Sequence, residues 1–309
     1  MLSLSTAFNF KNHRTWQELL RDSQALGFPA VELNVEIPQS WFPDIERSVS
    51  AGDILISSLH NYCPRIENLP SNRSIYSGYH LTSQDEEERK LAVTNTLRTI
   101  EHAARVNAQA VVIHAGEVPT DPTGTAFFNF ARMGGKDGKL FQQYYDTLFA
   151  DRRKKAPLFL GLLMKSLEAC IPAAQRHKVT LCLENRYYVN EIPSIEECLF
   201  LFEQFKGAPL AYWHDTGHAE VFVRLGCVKK HTDFLDALGS KLFGMHLHDI
   251  KGFSDHRAPG TGEFDFALLK PYVTPRTLCV VEAHAKATHE EVKKSVAHLR
   301  GAGIPCAAS

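Results

Sequence analysis

The sequence predicts an α/β fold, a closed barrel of eight parallel strands each followed by a helix, with a long insertion between the fourth strand and the fourth helix. Strand-sized apolar runs alternate with helical patterns eight times along the 309 residues, the arrangement that places parallel strands inside a layer of helices. Runs of this kind repeatedly end in a metal-binding or acid–base residue: LISSLH closes on His60, VVIHAG carries His114, LCLEN carries Glu184, AYWHDTGH carries Asp215 and His218, GMHLHD carries His246, and CVVEAH carries Glu282. Residues at the carboxyl ends of different strands of a parallel barrel converge on one rim, so the recurrence reads as one site. Nothing in the composition marks a linker, and a chain of this length routinely forms one such barrel, so residues 1–309 are assigned to a single domain.

Taken in order, the candidate strands are LSLSTAF (2–8), AVELNV (30–35), ILISSLH (54–60), AVVIHAG (110–116), TLCLEN (180–185), LAYWHD (210–215), LFGMHLHD (242–249) and LCVVEAH (278–284). After the first, TWQELLRDSQALG places Trp16, Leu19, Leu20 and Leu26 on one helical stripe and stops at Gly27, which adopts a left-handed conformation without a Cβ clash. After the third, DEEERKLAVTNTLRTIEHAARVN opens on acids that suit the positive end of a helix dipole and continues apolar at Leu91, Leu97, Ile100 and Ala104. Ser194 with Glu197, and Thr288 with Glu291, have the spacing of capping boxes at the starts of two later helices. The stretch from about 117 to 157 is far longer than an ordinary strand-to-helix connection. Its aromatics Phe127, Phe128, Phe130, Phe141, Tyr144 and Tyr145 are too many for a solvated tail. The segment is therefore expected to fold over the rim as a lid or to pack on another subunit of a homo-oligomer, and the lid is favoured.

Composition narrows the function classes. Apolar residues make up 44% of the chain and charged residues 22%, as in an ordinary globular protein, and a net charge of −1 supplies no basic field for nucleic acid or an anionic membrane surface. The cysteines, Cys63, Cys170, Cys182, Cys198, Cys227, Cys279 and Cys306, are odd in number and include no C-x-x-C pair, which fits reduced thiols in the cytoplasm. Cys182 and Cys279 lie within apolar strand runs and read as small buried hydrophobes. The N-terminus lacks the pattern of a secretory leader, and no run approaches the ~18 apolar residues that a membrane span needs.

The motifs LENRY, HDTGHA, GMHLHDIKG, DHRAPGTGEFDF and VVEAH, in this order and spacing, resemble the xylose-isomerase-like TIM-barrel superfamily, a group of (β/α)8 enzymes that includes sugar isomerases and epimerases and endonuclease IV. Glu184, Asp215, His246 and Glu282 offer three carboxylates and an imidazole, a donor set suited to manganese, magnesium, cobalt or zinc, and they match the epimerase metal site residue by residue. Such an ion would polarise a hydroxy-ketone and stabilise the enediolate formed when the adjacent carbon loses its proton. The resemblance implies that Glu184 and Glu282 are the acid–base pair. It also assigns His218 to substrate or to a further metal. Asn185 and Arg186 are candidates for contacts to sugar hydroxyls, and His248 and His256 are further candidates for substrate binding.

His60 and His114 complicate the epimerase reading, because with Glu184 they match the ligands of one zinc in endonuclease IV. In that nuclease the third zinc uses an Asp-x-His motif, whereas this chain reads Ser254-Asp255-His256, with serine where the aspartate should stand. The loops expected at the rim also mix both charge signs, where a DNA-binding rim would be basic. The expected function is therefore a divalent-metal-dependent isomerase or epimerase on a small carbohydrate, a ketose or polyol derivative. The alternatives are a dehydratase or lyase on cyclic polyols and a metal-dependent phosphodiesterase on abasic DNA. The Gly260-Thr261-Gly262 stretch is too short to mark a phosphate site by itself.

Overall fold

The structure, a computed structural model, describes residues 1–71, 73–284 and 286–305, with Asp137 described by its backbone alone. Its strands are β1 (Leu2–Ser5), β2 (Ala30–Leu33), β3 (Leu55–His60), β4 (Ala110–Ile113), β5 (Thr180–Glu184), β6 (Leu210–Asp215), β7 (Leu242–Leu247) and β8 (Leu278–Val281). Each pairs in parallel with its chain neighbours, and β8 closes on β1, so the predicted eight-stranded barrel is present.

The two-residue period of a strand decides which side chains enter the barrel. Ala110, Val112, Cys182, Ala211, Trp213, Leu278 and Val280 form a buried cluster, while their neighbours Val111, Ile113, Leu181, Leu183, Tyr212, Cys279 and Val281 belong to the core between strands and helices. On β7 the same alternation sends Met245 and Leu247 into the strand–helix core and His246 to the other side. Trp213 sits under His246, ring centroids 5.2 Å apart, and packs against Gly244, where a Cβ would run into the indole. Burying roughly 200 Å² of indole at about 25 cal/mol per Å² contributes on the order of 5 kcal/mol, so this floor is well anchored.

Helices α1 (Trp16–Ala25), α2 (Phe42–Ala51) and α3 (Glu86–Arg105) follow the first strands. The Thr15 side chain accepts the Glu18 N–H, and Gly27 takes φ 87°, which ends α1 as its sequence predicts. Both capping boxes form, at α6 (Ile195–Gln204) and α8 (His289–Gly301).

The long insertion is helical rather than loop-like. It contains α4 (Gly124–Arg132), and its second half is the start of α5 (Lys139–His177), a 39-residue helix that runs on into the layer around the barrel. Pro157 and the Arg152–Lys155 charge run hid that continuity in the sequence. Phe127 stacks on Phe141, and Phe128 packs against Tyr187, Tyr188 and Phe253 of the rim loops, so α4 seats on the strand-end face. Contrary to the expectation from its sequence, α5 holds an 18-residue stretch of mean hydropathy 1.3, long and apolar enough by composition to cross a membrane. Leu148, Phe159, Leu163, Leu167 and Cys170 on that helix are instead buried in the core that joins it to the barrel. Cys182 and Cys279 are buried as expected, and Cys306 lies outside the described residues.

Candidate metal centre

The barrel brings Glu184, Asp215, His246 and Glu282 together. One donor atom from each lies within 4.8 Å of every other, and all four side chains are buried. Glu184 and Asp215 close β5 and β6, His246 lies on β7 opposite Asp215 in register, and Glu282 follows β8. His246 Nδ1 is 2.6 Å from Glu184 Oε1, 3.3 Å from Glu282 Oε2 and 3.7 Å from Asp215 Oδ2. Its Nε2 lies 3.0 and 3.1 Å from the two oxygens of Glu32. A histidine whose other nitrogen is held by a carboxylate in this way is oriented as a metal ligand.

Glu32 was missed by the sequence reading. It stands in the middle of β2, beside a register shift with β3, and also accepts a 2.8 Å hydrogen bond from Ser58 Oγ. Shifts of this kind re-aim side chains near functional sites. The only signal in the sequence is one charged residue inside an apolar strand, AVELNV.

The electrostatics fit a cation. Burial would raise the carboxyl of Glu184, but His114 and His246 hold it well below the usual range. Burial likewise opposes ionisation of Glu282, and His246 and His256 overcome it. Asp215, pushed up by burial, is brought to about 2 by His218 and His248. Burial disfavours a charged His246, yet Glu282, Glu32 and Glu184 raise its imidazole well above its ordinary value. Three buried, ionised carboxylates thus crowd one imidazole nitrogen, a donor set a divalent cation satisfies. His60 Nδ1 is buried without a hydrogen-bond partner among the described residues, as an unused ligand atom would be.

The other predicted site residues fall into two sets. His60 groups with Glu184 and His246, stacked 5.7 Å from the His246 ring, and burial followed by the charge of His114 lowers it to about 4. His114 Nε2 approaches Glu184 Oε2 to 2.7 Å outside hydrogen-bond geometry, and its Nδ1 meets Tyr76 O at 3.2 Å. Arg186 bridges Glu184 and Glu191. With His218, His256, Tyr187 and Glu282 these residues line a cavity of about 390 Å³.

Asn185 and His248 differ from their expected role. Asn185 is 2% exposed, donates from Nδ2 to Asp215 O and accepts the Asp215 N–H at Oδ1, so its carboxamide is spent inside the wall. His248 Nδ1 accepts the His256 N–H, which leaves the proton on Nε2 for Asp215, 2.9 Å from both carboxylate oxygens. Asp255, next to His256, was also passed over as a site residue; it lines the cavity and pairs with His256 Nδ1 at 2.9 Å.

Solved structures of similar shape include a D-tagatose 3-epimerase-like protein (17% identity, TM-score 0.65, covering 97% of this chain and 96% of that one). Another is a D-psicose 3-epimerase from Clostridium cellulolyticum with D-tagatose (12%, 0.67, 98% and 99%). A third is a Thermus thermophilus protein soaked with zinc chloride (22%, 0.58, 97% and 97%). No curated protein matches the chain. A family model described as xylose isomerase-like TIM barrel matches residues 20–302, and the chain belongs to that family.

Proposed function

We propose that the protein is a divalent-metal-dependent isomerase or epimerase that acts on a sugar, ketose or polyol derivative by moving a proton next to a carbonyl. The convergence of Glu184, Asp215, His246 and Glu282 within 4.8 Å, beside a cavity that Glu184 and Glu282 line, carries this reading. The epimerases among the structures similar to this chain support it. A cation held by these residues would polarise the carbonyl and stabilise the charge that develops on its oxygen. Glu184 and Glu282 project from different strands into the same cavity, one to remove the proton and the other to return it. Arg186 fixes the Glu184 carboxylate, and His218 and His256 offer ring nitrogens to substrate hydroxyls. A second chamber of about 380 Å³ shares Tyr76, Asp255, His256 and His284 with the first and adds Lys11, Arg257 and Lys286, room for the far end of the substrate.

One observation favours the nuclease alternative: Asp215, His218, His248 and His256 also place donor atoms within 4.8 Å of one another. Of these four, His248 has both ring nitrogens bonded within the wall, and His256 Nδ1 faces Asp255.

The test is incubation of metal-loaded protein with ketoses, inososes and their phosphates in deuterated water. Exchange of a carbon-bound proton is expected in the parent. It should be lost in Glu282→Gln and Glu184→Gln variants that still hold metal, because an amide cannot accept the proton. Undiminished exchange in both variants rules out the two-glutamate mechanism. Efficient incision of abasic DNA that depends on His256 would replace this reading with the phosphodiesterase.

A further inference from the structure

The hydrogen bonds of Asn185 continue outward through the barrel wall. Because Asn185 Nδ2 donates to Asp215 O, its Oδ1 faces both the Asp215 N–H at 2.7 Å and the Tyr212 hydroxyl at 2.9 Å. A carboxamide oxygen only accepts, so the Tyr212 proton points at Asn185. The Tyr212 oxygen then accepts from His214 Nδ1, 2.8 Å away. His214 Nε2 lies 2.9 Å from His231 Nε2, and His231 Nδ1 lies 3.0 Å from Glu220 Oε1. With its proton on Nδ1, His214 turns Nε2 to His231, and His231 turns Nδ1 to the Glu220 carboxyl group. The four side chains thus form one continuous hydrogen-bonded chain from Glu220 inward to Asn185. Tyr212 and His214 are fully buried and His231 is 3% exposed, while Glu220 on α7 (Thr216–Leu225) reaches the outer surface.

We propose that Glu220, His231, His214 and Tyr212 form a positioning array for the metal pocket, which rests on the reading of Asp215 as a ligand. The array locks Asn185, and Asn185 fixes the Asp215 peptide through two hydrogen bonds and His218 through its own carbonyl, 3.0 Å from His218 Nδ1. A carboxamide at the inner end does not relay protons, so the array sets geometry and conducts nothing. A buried polar chain of this kind is costly when half satisfied, which gives each member leverage over the next.

Cobalt(II) titration of the parent and of Tyr212→Phe tests the proposal, with thermal stability measured alongside. Loss of the hydroxyl is expected to weaken cobalt binding on the order of 10-fold and to change the visible cobalt spectrum. Phe234→Leu, which alters packing beside His214 but removes no hydrogen-bonding group, should leave both as in the parent. Equal affinity and spectrum in Tyr212→Phe overturn the proposal. If the parent itself takes up no cobalt, the metal reading fails, and nitrogen NMR of the metal-free protein still decides the array. There, His214 should carry a proton on Nδ1, hydrogen-bonded to the Tyr212 oxygen. A His214 without that proton overturns the array. Should Tyr212→Phe fail to fold, Glu220→Gln at the outer end is expected to shift the ring-nitrogen resonances of His214, and unchanged resonances overturn the proposal.

Discussion

Glu32 and Asn185 show how far a residue's type is from its role. Asn185, just past the end of β5, turns into the wall, while Glu32, inside β2, holds the far nitrogen of the central imidazole. Glu184, Asp215, His246 and Glu282 were legible because each ends or follows an apolar run, the position that faces the rim. Glu32 was not, because one carboxylate inside a strand has no local partner to reveal it; His246 is 214 residues away in sequence. Glu32→Gln should weaken divalent-metal binding by about 10-fold or more while the barrel stays folded, since removing a charged hydrogen-bond acceptor behind a ligand typically costs about 10- to 100-fold. Titration with manganese or cobalt checks this, and unchanged affinity would assign Glu32 to fold stability alone.

At the level of elements, strand alternation was readable throughout, and so were the caps, because both depend on local spacing. The N-terminus of α3 shows what spacing leaves out. Asp85 caps it, but Glu88 in its first turn also gathers Arg73, the His80 N–H and Ser83 Oγ from the preceding loop. Burial opposes the ionised form of Glu88, and its bonds to Arg73, His80 and Ser83 outweigh that and lower it from its ordinary 4.5. A carboxyl lowered in the folded state contributes stability that is fully present above its unfolded value and lost as pH falls through the folded one. The difference in Tm between the parent and Glu88→Gln should therefore be constant near neutral pH and shrink as pH falls below 4.5, as measured by thermal unfolding across pH. The insertion was the element read least well. Its aromatics signalled packing, but Pro157 and a charge run disguised a continuous helix.

For the whole molecule, the closed barrel makes one site out of residues contributed by β2 and by the strand ends from β3 to β8, so binding at that site is felt by the entire fold. A cation present at about 100 times its dissociation constant stabilises the native state by roughly 2.7 kcal/mol. For a domain of this size that predicts a rise of roughly 4 °C in Tm, reversed by a chelator and absent in Asp215→Ala. By itself the sequence determined the barrel, because periodicity, capping and strand-end placement are local properties that survive in a string of letters, and its motifs carried the family resemblance that pointed to the four residues the barrel brings together. Only the tertiary structure decided which face of the wall each polar side chain meets. It put Glu32 behind His246 and withdrew Asn185 and His248 from the cavity. It also joined Glu220, His231, His214 and Tyr212 into one chain, because hydrogen-bond partners are chosen by ångström-scale distances between segments that the sequence keeps apart.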